Sequence, residues 1–222
     1  MSARVPDEFF DELYASAADP WGLASRWYEQ RKYAITMAML PLPGYRHAFE
    51  PGCSVGVLTE QLVRRCERVT AIDVAQAALD ATSARLDAVN AADRVALHRR
   101  SIDDDWPPGD YDLIVLSEVA YYLDESALRH VLDRECPRLR QGTTVITAHW
   151  RHRVVDYPLT GDEATAVIAQ TDGLDPLARY LDDVVSITVL VSGTARSVAE
   201  GTGVPGAGTA PSSDSSSEPS ST

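Results

Sequence analysis

The chain predicts an α/β fold, a doubly wound and mostly parallel sheet with an antiparallel C-terminal edge hairpin and an N-terminal helical cap. Three observations predict it. Short β-branched runs alternate with longer stretches of helical apolar spacing, a glycine-containing turn joins the first run to the helix behind it, and an acidic residue ends the second run. Alternation of this kind builds βαβ units with right-handed crossovers, and so a parallel sheet covered by helices on both faces.

Taken in order, residues 6–40 read as two helical pieces broken at Asp19 and Pro20, with Trp21, Trp27, Tyr28 and Tyr33 making an aromatic cap ahead of the sheet. Strands are expected at 47–51, 69–73, 95–98, 112–116, 143–149 and 184–192, where β-branched residues lie between turn signals. Helices are expected at 57–66, 75–89, 125–140 and 162–171, with Asp73 and Asp124 as caps. Runs 176–181 and 184–192, parted by Asp182 and Asp183, form the closing hairpin. Residues 200–222 are nearly all Gly, Pro, Ser, Thr and Ala, too little apolar surface to offset the entropy of ordering, and are expected to be a disordered tail. The expected organisation is a cap over 1–40, a core over 41–199 and that tail.

With 45% hydrophobic and 24% charged residues among 222, the composition is globular rather than collagenous or wholly disordered. Twenty basic against 33 acidic residues give a net charge of -13, and residues 201–222 hold only Asp214 and Glu218, so the acidity belongs to the folded part. Such a field repels phosphate backbones and anionic membrane surfaces. Neither nucleic acid nor membrane is an expected partner; a neutral or cationic small molecule is, and the chain acts as a monomer or homodimer. No run approaches the roughly 18 apolar residues of a spanning helix, and acidic residues crowd the first thirty positions, unlike a signal peptide. Cys53, Cys66 and Cys136 are odd in number and lack a CxxC, which reads as reduced thiols in a cytoplasmic protein.

The sharpest chemical feature is AFEPGCSVGVLTEQL, where a strand ending in Glu50 turns through Gly52, Cys53, Ser54 and Gly56 into a helix. Glycine there permits positive φ and close approach of a ligand to backbone. The next strand ends in Asp73, 21 residues beyond Gly52, where a nucleotide-binding βαβ unit holds ribose hydroxyls. The competing bland reading is a tight connection capped by two glycines. The turn is not the GxGxxG that seats a pyrophosphate, and Glu50 disfavours a phosphate beside it, so a cationic or zwitterionic nucleoside suits it better.

On these residues the chain resembles the class I S-adenosylmethionine-dependent methyltransferases, whose first motif is an acidic residue followed by GxGxG. Glu50, Gly52, Ser54 and Gly56 match it, with Ser54 in place of the middle glycine. The resemblance implies a Rossmann-like core that binds S-adenosylmethionine and releases S-adenosylhomocysteine. It places Cys53 in the cofactor turn, Asp73 on the ribose, Val74 by the adenine, Ser101 and Ile102 near the adenine amino group, and Ser117 and Glu118 by the methionine part. More narrowly, DPWGLASRWYEQRKY, CERVTAIDVA and SEVAYYL resemble the nodulation protein S (NodS-like) branch over about residues 8–192. That branch implies N-methylation of a small molecule, an amino sugar in its type member. It implies a lid made by Trp21, Tyr28, Arg31 and Tyr33, with Arg31 pairing the methionyl carboxylate because a fork of donors suits that group.

Methyl transfer from a sulfonium is an in-line displacement in which alignment supplies most of the rate. An amine acceptor must also lose a proton, and Glu118 and His149, at two strand ends, are the candidate catalytic bases. Tyr121, Tyr122 and Trp150 are expected to shape the acceptor pocket together with Tyr28 and Tyr33. The Asp103, Asp104, Asp105 run and the His149, His152, Asp156 group lack a complete ligand set, so no metal is expected. An NAD-dependent oxidoreductase and a non-catalytic S-adenosylmethionine-binding protein stay open as alternatives.

Overall fold

The computed structural model describes residues 4–208. Its cap comprises α1 (Asp7–Ser16) and α2 (Trp27–Met39), parted where the Asp19 carboxylate accepts hydrogen bonds from the Leu23 and Ala24 N–H groups at 2.8 and 3.0 Å. The core then runs β1 (Tyr45–Pro51), α3 (Val57–Leu62), β2 (Cys66–Asp73), α4 (Gln76–Ala88), β3 (Val95–Arg99), β4 (Leu113–Ser117), α5 (Glu125–Glu135), β5 (Thr144–Trp150), α6 (Gly161–Ala169), β6 (Leu174–Leu181) and β7 (Val185–Ser192). A single helical turn, α7 (Val198–Gly201), follows.

The seven strands lie in the order β3-β2-β1-β4-β5-β7-β6. The first five pair in parallel, β7 runs antiparallel beside β5, and β6 returns antiparallel to it as the outer edge. Pro176 and an irregularity between Pro176 and Ala178 interrupt that edge, which discourages pairing with another chain. Central strands read as continuous apolar runs because both faces are covered: Leu113, Ile114, Val115 and Leu116 of β4 are all buried.

Three boundaries differ from expectation. The helix from Val57 stops at Leu62, because Cys66 is already buried in β2 opposite Tyr45. Helix α5 stops at Glu135 and tightens into a 3₁₀ turn over Cys136–Arg138, where Pro137 has no N–H to continue the α-helical ladder. Asp124 caps α5 through the Ala127 N–H at 2.8 Å, whereas the cap position of α4 is Ala75, and Asp73 instead takes the Ala75 N–H. In the expected tail over 200–222, α7 and turns are described as far as residue 208; residues 209–222 lie outside the described residues. Among the described residues no helix is long and apolar enough to cross a membrane.

The sheet reverses direction of winding between β1 and β4, and in such sheets a crevice opens beyond the carboxyl ends of those strands. The cap crosses this end. Val5 N–H bonds to the Tyr122 carbonyl at 2.9 Å, and Phe10 and Tyr14 of α1 pack with Ala75 and Ala78 of α4.

Candidate active site

A cleft of about 650 Å³ lies there, between the cap and the ends of β1, β2, β4 and β5. Its floor is the turn after β1. Gly52 stands at φ +74, and a Cβ on it would meet the Val119 side chain at 2.9 Å, so only glycine keeps this wall open. Ser54 also adopts the left-handed region, at φ +53. Three contacts hold it there: its N–H donates to Asp73 Oδ2 at 2.9 Å, its carbonyl accepts from the Thr82 hydroxyl at 2.7 Å, and its hydroxyl meets the Tyr14 phenol. The missing glycine is therefore compensated by Asp73, by Thr82 of α4 and by Tyr14 of the cap.

Asp73, at the end of β2, binds the Ser54 N–H with Oδ2 and the Ala75 N–H with Oδ1, and each oxygen keeps lone-pair capacity on the cleft side. Burial raises its pKa to about 6 against those two hydrogen bonds. Glu50, at the end of β1, lines the same floor fully buried, with Oε2 lacking a hydrogen-bond partner. Burial, reinforced by the charge of Asp73, pushes it to about 8. Cys53, Val74, Ser101, Ile102 and Trp21 complete this end of the cleft, Trp21 edge-on to Tyr14 at 5.7 Å.

The other end is built around ions. Glu118 follows β4 at φ +53, a left-handed conformation that a side chain adopts at a cost, and its carboxylate is held on three sides. Lys32 Nζ lies 2.7 Å from Oε1, while the Tyr121 hydroxyl and the Trp150 N–H donate to Oε2 at 2.6 and 2.9 Å. Lys32 also pairs with Glu29 at 2.7 Å and sits over the rings of Tyr28 and Tyr33. Burial opposes ionising Glu118, but Lys32 and the two hydrogen bonds outweigh it and hold the carboxyl below its ordinary range. Tyr28, Tyr33, Tyr121, Tyr122, Trp150 and Ser117 all line the cleft, Tyr28 edge-on to Trp150.

Three expected residues are not brought to the cleft. Arg31 turns outward to Asp182 at 3.0 Å and to the Tyr180 hydroxyl at 2.6 Å, tying α2 to the β6–β7 hairpin; Arg26 and Lys32 line the cleft in its stead. His149 lies fully buried on the opposite face of β5 from Trp150, with Nδ1 bonded to the Thr165 hydroxyl at 3.0 Å under α6. Burial lowers its pKa to about 4, so the imidazole is neutral, and its place under α6 keeps it out of the cleft. Gly56 closes the turn, its N–H donating to the Cys53 carbonyl at 3.0 Å, and caps α3 at φ +74 against Thr82, away from the cleft. Conversely, Lys32, Glu29, Tyr14 and Tyr157 line the cleft although the sequence reading passed them over. The three-residue spacing of Glu29 and Lys32 in α2 was the signal available. Among the described residues no group of three or more His, Cys, Asp or Glu could hold a metal ion. Of the acidic run, Asp104 accepts from the Ser101 N–H, and Asp103 and Asp105 pair with Arg4 and Arg134.

Fold and cleft together are those of the class I S-adenosylmethionine-dependent methyltransferases. The structure of N-methyltransferase NodS from Bradyrhizobium japonicum WM9 in complex with S-adenosyl-L-homocysteine superposes with a TM-score of 0.74 at 21% identity, over 85% of this chain and 99% of that one. Residues 7–173 match the family Nodulation protein S (NodS), and the chain belongs to that family. Nodulation protein S of Azorhizobium caulinodans is 30% identical over 159 residues, 70% of this chain and 75% of that protein. The Rhizobium tropici protein is 33% identical over 116 residues, 50% of this chain and 46% of its own length. The chain thus spans about half the length of the first curated relatives it matches.

Proposed function

We propose that this chain transfers the methyl group of S-adenosylmethionine to the nitrogen of a small-molecule amine. The observation that carries the reading is one continuous cleft with a nucleoside-shaped floor, Gly52, Ser54 and Asp73, at one end and the ionised Glu118 among aromatic rings at the other. Its volume of about 650 Å³ falls within the roughly 300–1,000 Å³ of sites for molecules of cofactor size. The orphaned Glu50 oxygen and the remaining lone pairs of Asp73 are acceptors suited to an ammonium and to ribose hydroxyls.

In this reading Asp73 grips the ribose, and Val74, Ser101 and Ile102 bound the adenine. Cys53, Ser54, Ser117 and Glu50 face the methionine part. Arg26, which lines the cleft from the segment just ahead of α2, takes the carboxylate role first given to Arg31. When bound, the cofactor supplies an electrophilic methyl on a sulfonium. The chain's own residues do the rest. Tyr28, Tyr121, Tyr122 and Trp150 exclude water and orient the acceptor, while the carboxylate of Glu118 stabilises the positive charge that grows on the attacking nitrogen. A nicotinamide reading lacks its GxGxxG turn. Three unpaired cysteines suit the cytoplasm.

The test is transfer of a labelled methyl group from S-adenosylmethionine to a panel of small amines and matched alcohols. Labelled amine with unlabelled alcohols is the expected result; label on neither leaves a binding protein, and label on alcohols alone assigns oxygen.

A further inference from the structure

The proposed amine acceptor sets a proton problem that neither expected base solves. An alkylamine is an ammonium at neutral pH and has no lone pair until it gives up a proton. His149 is sealed under α6, on the face of β5 away from the cleft. Glu118 lines the cleft, but both its oxygens are occupied by Lys32, Tyr121 and the Trp150 N–H, an arrangement that holds it as an anion and leaves it a poor proton acceptor.

Glu29 is placed differently. It lines the cleft from the second residue after Trp27, is buried to 7% exposure, and has Lys32 as its ion-pair partner through Oε2 at 2.7 Å. Among the described residues none donates a hydrogen bond to its other oxygen, Oε1. Two carboxylates therefore flank one ammonium, and the triad carries one net negative charge at the acceptor end, ready for a cation. The groups that bear on Glu29 are Lys32, Arg26, Tyr28 and Tyr33 from its own segment and Glu118 from the end of β4. Burial raises its affinity for a proton against the pull of Lys32, the opposite balance from that of Glu118.

Resting on the proposed N-methylation, we infer that Glu29 is the general base of this cleft and that Glu118 is the anionic seat of the acceptor nitrogen. The acceptor ammonium docks against the triad. One N–H bond breaks, its electron pair stays on nitrogen, and the proton passes to Oε1 of Glu29. The lone pair so freed forms the new N–C bond as the C–S bond of the sulfonium breaks with its pair going to sulfur, which leaves a thioether and a methylated ammonium beside Glu118. Glu29 returns its proton to solvent when the product leaves. Lys32 is a positioning residue, holding both carboxylates in register.

The experiment compares benzylamine, which is protonated at neutral pH, with aniline, which is not. In the wild-type complex with S-adenosylhomocysteine, the nitrogen NMR shift of ¹⁵N-benzylamine is expected to be that of a neutral amine, and in Glu29→Gln that of an ammonium. In turnover, the ratio of kcat/KM for benzylamine to that for aniline is expected to fall by about 100-fold in Glu29→Gln, the size of a general-base contribution, and to recover in part in Glu29→Asp. S-adenosylhomocysteine titration of each variant reports whether it is folded. An ammonium shift in the wild type, or an equal loss on both amines, overturns the assignment. Failure of the wild type to methylate either amine overturns the N-methylation reading instead.

Discussion

Glu50 shows at the scale of one residue how a buried carboxyl lining the cleft costs stability. A carboxyl with no partner for Oε2 in a fully buried position takes up a proton more readily folded than unfolded, with a value of about 8 against an ordinary 4.5. Between those values the native chain holds a proton that the unfolded chain has lost, so stability falls as pH rises from 4.5 to 8. Glu50→Gln removes that dependence. Its melting temperature relative to wild type is expected to climb from pH 5 to pH 8, as followed by circular dichroism; a constant difference would show that Glu50 is ionised throughout. The same residue scale explains what the sequence conceals in α2. Successive residues of a helix are turned by about 100°, so choosing Arg31 over Lys32 depends on helix phase, which only the packing of Tyr33 and Thr36 onto the core decides. On β5 the alternation of faces sends Trp150 to the cleft and His149 away from it.

At the scale of elements, the strands are legible in the sequence because each is a β-branched run between turn signals, and all six expected ones form with ends shifted by a few residues. The glycine turn and Asp73 are legible because they are local, spaced by a helix and a strand. The triad is not, since it joins α2 to the loop after β4 across 86 positions of chain. Gly161 is another such long-range requirement. It opens α6, whose Thr160 and Glu163 form a capping box, and a Cβ there would lie 2.1 Å from the Trp150 carbonyl oxygen. Gly161→Ala is expected to destabilise the chain by about 1–3 kcal/mol through overpacking, measured as a lower urea midpoint. Since the shift displaces Trp150, whose N–H holds Glu118, methyl transfer should fall with it. An unaltered midpoint would mean that α6 and β5 are not in contact as described.

For the whole molecule, function follows from where the sheet changes its winding. Strands β1 and β4 lie side by side, their carboxyl ends diverge, and the cap crosses the opening through Val5, Tyr14 and Trp21. In the proposed reading the nucleoside lies against β1, β2 and the loop after β3, and the acceptor against α2, the loop after β4 and the end of β5. The most direct measurement is calorimetric titration of S-adenosylhomocysteine and of NAD into wild type and Asp73→Ala. S-adenosylhomocysteine is expected to bind, NAD to give no heat, and Asp73→Ala to lose at least about tenfold in affinity, near 1.4 kcal/mol, as the ribose loses a charged acceptor. Equal affinity in the two proteins, or no uptake of S-adenosylhomocysteine by either, would contradict it.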